Sequence, residues 1–197
     1  MLELKRATLK DFNRLYPFYF EDFPYGERKS YKRMKRFIQN GVFQFWVMEE
    51  DGKWVGYLSA MVLPNHSFIL LDYLAIKKEK RNQGYGEKMI SLLKKEYHSY
   101  HGFVGEVDAV ACAPTKEEAE TRARRIKFYE RLGFIVYSNI LISMYDVDYN
   151  LAYGPIQKTV LDEEKIILGL QYIYYHVYEN MYHDIDHVKK YIRFNYN

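Results

Sequence analysis

Cysteine is nearly missing from this chain: Cys112 is the single thiol among 197 residues, which excludes an intramolecular disulfide and any cysteine-rich zinc site. Charge imbalance is missing too, with 29 Lys and Arg against 26 Asp and Glu and a net charge of +3. A protein that tracks phosphates usually concentrates basic charge on one face, so nucleic acid is not an expected partner. No apolar run approaches the length needed to cross a bilayer, and Met1-Leu2-Glu3-Leu4-Lys5-Arg6 does not read as a signal peptide. No repeat or low-complexity segment is visible. These absences leave the expectation of a soluble, cytoplasmic, globular class of one domain, with or without an appendage, and no membrane partner.

What the chain has in excess is aromatic rings: 21 Tyr, 12 Phe and 2 Trp. With so many apolar and aromatic groups to bury, disorder is not expected. Ten of the tyrosines follow residue 144.

Periodicity gives the element order. Leu2–Ala7 alternates as a short strand, and Thr8 with Asp11 is a weak capping box for a helix over Leu9–Phe20. Pro24-Tyr25-Gly26 breaks the chain. A basic helix follows from about Glu27 to Gln39, with Arg28, Lys29, Lys32, Arg33, Lys35 and Arg36 on a solvated face and Tyr31, Met34, Phe37 and Ile38 on a buried one. Strands are expected at Val42–Glu49, Lys53–Leu63 and Phe68–Ile76, the first two joined by an Asp51-Gly52 hairpin turn. A helix through Met89, Ile90, Leu93 and Tyr97 should run to Gly102. The strand Phe103–Ala111 and a helix from Pro114-Thr115 to Gly133 come next, then a hairpin of Asn139–Val147 with Tyr149–Pro155. The fold class is α/β (α+β): a mixed sheet of about seven strands with helices on both faces. Beyond it, Asp162 to about Tyr182 reads as a long amphipathic helix, packed on the sheet edge or forming a dimer face. The division expected is 1–156 for the domain and 157–197 for a helical extension, in a monomer or homodimer.

One stretch carries chemistry. Arg81-Asn82-Gln83-Gly84-Tyr85-Gly86 lies between a strand and a helix. Glycines there let the backbone approach an anion, and the new helix offers unpaired N–H groups with a positive dipole end. The third glycine of a dinucleotide fingerprint and the Lys-Ser/Thr ending of a triphosphate loop are both absent.

Two pieces of the chain resemble a known family. Leu71-Asp72-Tyr73-Leu74-Ala75-Ile76 followed by Arg81-x-x-Gly84-x-Gly86 is similar to the acyl-CoA motif of the Gcn5-related N-acetyltransferases. Arg125-Ile126-Lys127-Phe128-Tyr129-Glu130-Arg131-Leu132-Gly133-Phe134 resembles the same family's Phe-Tyr-Glu-x-Leu-Gly-Phe helix end. The resemblance covers roughly residues 1–156 and implies a sheet splayed in the middle, between the Phe68–Ile76 and Phe103–Ala111 strands, and transfer of acetyl from acetyl-CoA to a primary amine of a small-molecule or peptide acceptor. The alternative is an acyl-CoA-binding or sensing module without catalysis. The resemblance implies that backbone groups of Gln83, Gly84, Tyr85, Gly86, Glu87 and Lys88 cradle the pyrophosphate, with Arg81 adding charge. It implies that Leu74, Ala75 and Ile76 pair with the pantetheine arm, beside Phe128, and that a backbone N–H there polarises the thioester. Tyr129 matches the family's general acid for the thiolate. The base is left open between Glu106, which shares a strand face with Asp108, and Asp72, which shares one with Leu74 and Ile76.

Departures from the family pattern are Arg122, where Asn is usual, and Arg125, where a small residue is usual. With Arg124 they either bind the 3′-phosphate or line a solvated face. The acceptor pocket is expected from Glu21, Asp22, Tyr25 and Tyr145, with Tyr19 and Phe23 beside them. Cys112 is expected to be a small buried hydrophobe. His183-Asp184-Ile185-Asp186-His187 has the histidine spacing of some zinc helices but lacks the glutamate of the metalloprotease motif, so no metal is expected.

Overall fold

Thr8 caps the first helix as its spacing predicts: its hydroxyl accepts from Asp11 N–H, and the Asp11 carboxylate accepts from Thr8 N–H. That helix, α1, spans Leu9–Asp22, two residues beyond the predicted end and through Pro17. The computed structural model describes residues 1–63, 66–144, 147–158, 161–182 and 185–196. Its other elements are α2 (Tyr31–Gln39), α3 (Tyr85–Glu96), α4 (Lys116–Arg131), α5 (Glu163–Tyr182) and α6 (Ile185–Tyr191). The strands are β1 (Leu2–Arg6), β2 (Phe43–Glu50), β3 (Lys53–Val62), β4 (Phe68–Ile76), β5 (Gly102–Asp108), β6 (Ile135–Met144), β7 (Val147–Pro155) and β8 (Ile192–Tyr196).

Eight strands form one mixed sheet in the order β1-β2-β3-β4-β5-β7-β6-β8. The chain divides into two compact units: Met1–Asn65 with Leu71–His98, and His66–Leu70 with Ser99–Asn197. β4 contributes to both.

In the first unit β1, β2 and β3 pair antiparallel. Alternation along β2 and β3 assigns the helices to faces. Phe45 meets Phe12 of α1 and Tyr57 of β3, and Phe43 meets Phe37 of α2. On the opposite face, Trp46 Nε1–H donates to the Tyr97 hydroxyl just after α3, and that hydroxyl donates to Gln44. Helices thus cover both faces of this unit. These bonds also help explain why α3 ends at Glu96 rather than at Gly102: Tyr97 turns out of the helix, and Gly102 instead opens β5.

In the second unit, Phe68–Leu70 pair in parallel with Gly102–Val104. β5 then runs antiparallel to β7, and β7 to β6. β5 stops at Asp108, short of the predicted Ala111, because Val110–Cys112 close a 3-10 turn. β6 begins at Ile135, two residues after Gly133 at φ +79°, four residues earlier than the pattern suggests. α5 buries Ile166, Leu170, Ile173 and Val177, with Tyr174 beside them.

Two expectations are corrected. The basic helix begins at Tyr31, where the Ser30 hydroxyl accepts from Arg33 N–H, while Tyr25–Glu27 form a 3-10 turn and Lys29 lies outside the helix, buried. The sheet has eight strands rather than about seven, since Ile192–Tyr196 pairs with β6. Among the described residues no helix is long and apolar enough to cross a membrane.

Gly56 marks a close approach. A Cβ there would lie 2.8 Å from the Ala75 carbonyl oxygen and 2.9 Å from Met89 Cε. The carbonyl belongs to backbone and cannot swing aside. Gly56→Ala should therefore destabilise by about 1–3 kcal/mol, read as a lower denaturant midpoint with an unchanged m-value.

Candidate active site

The turn between β4 and α3 uses backbone that few residues accept. Asn82 and Gly84 have φ of +60° and +77°, and Gly84 is the N-cap of α3. A Cβ at Gly84 would meet nothing within 4 Å, so dihedral strain of about 1–2 kcal/mol, not crowding, favours glycine here. Hydroxyls of Thr8, Ser30 and Thr115 cap α1, α2 and α4, whereas α3 has no side-chain cap. The first internal bond of α3 runs from Lys88 N–H to the Gly84 carbonyl at 3.1 Å. Helix geometry then leaves the N–H groups of Tyr85, Gly86 and Glu87 without an intrahelical acceptor, at the positive end of the dipole. The Lys88 amide, by contrast, is already bonded within the helix.

Side chains brace this turn. The Tyr85 ring is buried, and its hydroxyl donates to Glu50 Oε2 at 2.7 Å. Lys80 Nζ donates to the same oxygen at 2.9 Å. The ammonium groups of Lys80 and Lys88 lie 5.3 and 5.2 Å from the Tyr85 ring centre. Gln83 Nε2 donates to the Glu79 carbonyl. Arg81 donates from Nε to the Ile76 carbonyl at 2.9 Å and pairs with Asp22 Oδ1 at 3.0 Å. Its charge is therefore shared with a carboxylate of α1. Glu50 carries no sequence signal beyond its place before the Asp51-Gly52 turn, and its role emerges only here.

Along β4, Tyr73 and Ala75 are buried while Leu74 and Ile76 are partly exposed. Asp72 forms a buried ion pair with Lys29 Nζ at 2.7 Å. Sequence reading hid Lys29 in a run of solvated charges.

The acceptor-side expectations fare unevenly. Both oxygens of Asp22 are engaged, Oδ2 by the Tyr57 hydroxyl at 2.8 Å and Oδ1 by Arg81. Tyr19 is fully buried, its hydroxyl accepting from Lys29 N–H, so it cannot line a pocket. Phe23 packs on Tyr73. Glu21 and Tyr25 are exposed. Tyr145 and His183 fall outside the described residues.

In the second unit, Tyr129 is half-buried between Phe128 and Phe134. Among the described residues its hydroxyl has no hydrogen-bond partner. Burial pushes the phenol up, Arg125 offsets part of this, and Asp108 and Glu106 push it further. A raised pKa keeps the proton on the phenol, as an acid requires. Glu106 is half-buried on β5 opposite Leu151. Arg125 pairs with Asp108. Arg122 bonds Glu118 and the Ala109 carbonyl, and Arg124 bonds Thr121. Two of these three arginines thus neutralise carboxylates of their own unit. Cys112 is exposed, its thiol donating to Asp148, so the expectation of a buried hydrophobe is corrected. No cluster of three or more potential metal ligands occurs among the described residues.

Residues 41–136 match the family model described as acetyltransferase (GNAT) domain. Over those residues, just under half of its length, the chain is similar to the GNAT family. The Bacillus subtilis (strain 168) protein YjbC, which carries an acetyltransferase name, is 31% identical over 114 residues, 58% of this chain. The match spans 53% of that relative, about half its length. A GNAT-family protein of Bacteroides thetaiotaomicron has a similar fold, with a TM-score of 0.71, 21% identity, and coverage of 91% of this chain and 98% of that one. Spermidine N-acetyltransferase of Vibrio cholerae, solved with CoA and spermine, has a TM-score of 0.58 and 13% identity, covering 77% of this chain and 94% of that one. GNAT acetyltransferases draw their acyl group from acetyl-CoA, and the open first turn of α3 has the chemistry to hold its pyrophosphate.

Hydrogen bonds from Tyr85 and Lys80 hold the Glu50 carboxyl below its ordinary range. A depressed folded pKa gives stability that is present above the unfolded value, about 4.3, and lost as pH falls through the folded one. Acidification should therefore release Tyr85 and slacken the turn. Glu50→Gln should flatten the acid limb of the stability profile, measured by unfolding between about pH 3 and pH 7, and should weaken CoA binding at neutral pH.

Proposed function

We propose that this chain transfers acetyl from acetyl-CoA directly to a primary amine of a small-molecule or peptide acceptor. The observation that carries the reading is the uncapped first turn of α3, an anion cradle that a strand, a left-handed glycine and the Tyr85–Glu50 brace hold ready. Residues 1–156 would carry the reaction, with 157–197 as an extension.

In this reading the N–H groups of Tyr85, Gly86 and Glu87 hold the pyrophosphate. β4 lays the thioester along Leu74–Ile76, where a backbone N–H stabilises the negative charge growing on the carbonyl oxygen. The amine nitrogen attacks the carbonyl carbon. A C–N bond forms, the C–S bond breaks, and its electron pair leaves on sulfur. Tyr129 delivers its hydroxyl proton to that thiolate, while Glu106 or Asp72 accepts the proton lost by the amine, directly or through water. Glu21 and Tyr25 remain as exposed groups for a cationic acceptor.

Thiol release across a panel of primary amines tests the reading, because a module that only binds acyl-CoA would release none. Tyr129→Phe should lower kcat about a hundredfold with the KM for acetyl-CoA within about twofold. The raised phenol pKa further predicts that wild-type kcat holds through the ordinary tyrosine range near pH 10. An alkaline limb that begins earlier would argue against Tyr129 as the acid.

A further inference from the structure

Two arginines stand on α4 where the resemblance leads one to expect Asn and a small residue, and the structure gives each a partner. Arg122, Arg125 and Tyr129 fall at i, i+3 and i+7 of α4, so they share one face of the helix. Arg122 donates from Nη1 to the Ala109 carbonyl at 2.8 Å and from Nε to Glu118 Oε1 at 3.2 Å. Arg125 donates from Nη1 to Asp108 Oδ2. Asp108 is the last residue of β5, and its side chain is 9% exposed. Together these bonds clasp α4 to the end of β5, a turn before Tyr129.

Tyr129 is fixed by its own surroundings as well. Its carbonyl accepts from the N–H groups of Leu132 and Phe134 at 3.0 and 3.1 Å, and its ring packs on Phe128 and Phe134. Its hydroxyl has no hydrogen-bond partner among the described residues. Once that hydroxyl has given up its proton, the charge left on the half-buried oxygen has no fixed donor to share it. A nearby cation then becomes the means of stabilising it. Of the charged groups that act on the phenol, Asp108 and Glu106 of β5 oppose a negative oxygen, and Arg125 of its own helix favours one. An untethered arginine on a helix surface swings into solvent, where its field is screened. Arg125 is tethered, by Asp108.

We propose that Arg125 is a positioning residue for Tyr129: anchored by Asp108, its guanidinium offsets the negative charge left on the phenol oxygen when Tyr129 protonates the CoA thiolate. This rests on the transferase reading above. In that step the Tyr129 O–H bond breaks, the proton joins a sulfur lone pair to make an S–H bond, and the phenolate regains a proton from water before the next turnover. The assignment gives Arg125 a part in kcat and none in holding the 3′-phosphate of CoA.

Arg125→Gln removes the charge and keeps an amide N–H for Asp108. Thiol release from acetyl-CoA across a panel of primary amines should show kcat about tenfold lower, with the KM for acetyl-CoA within about twofold. Arg125→Lys should recover much of the loss. In a Tyr129→Phe background Arg125→Gln should have no further effect, since no phenolate forms there. An equal loss in both backgrounds would mark a merely structural role and overturn the inference. So would a raised KM for acetyl-CoA that disappears with acetyl-3′-dephospho-CoA, because Arg125 would then be a phosphate ligand. If Arg125→Gln does not fold, the double variant with Asp108→Asn leaves no stranded charge and should still lower kcat. Should the wild type release thiol with none of the amines, the transferase reading fails separately. Fluorine NMR on protein containing 3,5-difluorotyrosine, whose fluorines bring phenol titration toward neutral pH, then decides the inference. The Tyr129 resonance, identified by its loss in Tyr129→Phe, should titrate at higher pH in Arg125→Gln, and an unmoved midpoint overturns the inference.

Discussion

Three backbone N–H groups at the start of α3 are the constraint around which the first unit is arranged. A helix N-terminus without a cap is unfavourable unless water or an anion fills it, and here the capping position is given to Gly84 instead of the hydroxyl residue used by α1, α2 and α4. Holding such a turn open needs support from outside the helix. Tyr85 drives its ring inward and fastens its hydroxyl to Glu50, Lys80 closes on the same carboxylate, and Arg81 ties the turn to both Ile76 and Asp22. The turn is thus fixed to three separate elements, so an anion bound in the proposed cradle would meet a turn already ordered.

Several charges that the chemistry could have used are paired within the protein. Residues that looked available on a solvated face or a pocket wall turn out to be partnered: Lys29 with Asp72, Arg81 with Asp22, Arg125 with Asp108 and Arg122 with Glu118. The consequence for chemistry is selective. Among the described residues, two polar atoms without a hydrogen-bond partner, the Tyr129 hydroxyl and Asp72 Oδ2, lie on the motifs that resemble acyl-transfer machinery.

Much of the fold was legible in periodicity. β4 runs over Phe68–Ile76 as its apolar pattern indicated, the Asp51-Gly52 turn joins β2 to β3, and the long helix expected from Asp162 is present as α5, with Ile166, Leu170, Ile173 and Val177 buried. The misreadings have local causes. Gly102 looked like a helix stop, yet Tyr97 turns out of α3 earlier to bond Trp46 and Gln44, partners 51 and 53 residues away. Lys29 stood among basic helical neighbours, but the Ser30 cap starts the helix after it. The last strand, Ile192–Tyr196, has too little alternation to announce itself and exists because β6 offers it an edge.

By itself the sequence determined the chemical theme: a glycine turn between strand and helix, an aromatic helix end bearing Tyr129, and the order of elements between them. These are local facts, since turn dihedrals, caps and side-chain period are set by residues within a few positions of one another. Only the tertiary structure decided which charges are free to act. Whether a carboxylate meets a guanidinium 59 residues distant, as Asp22 meets Arg81, or keeps one oxygen unmatched, as Asp72 does, depends on where distant segments come to rest. Electrostatic pairing acts through space, so no local pattern encodes it.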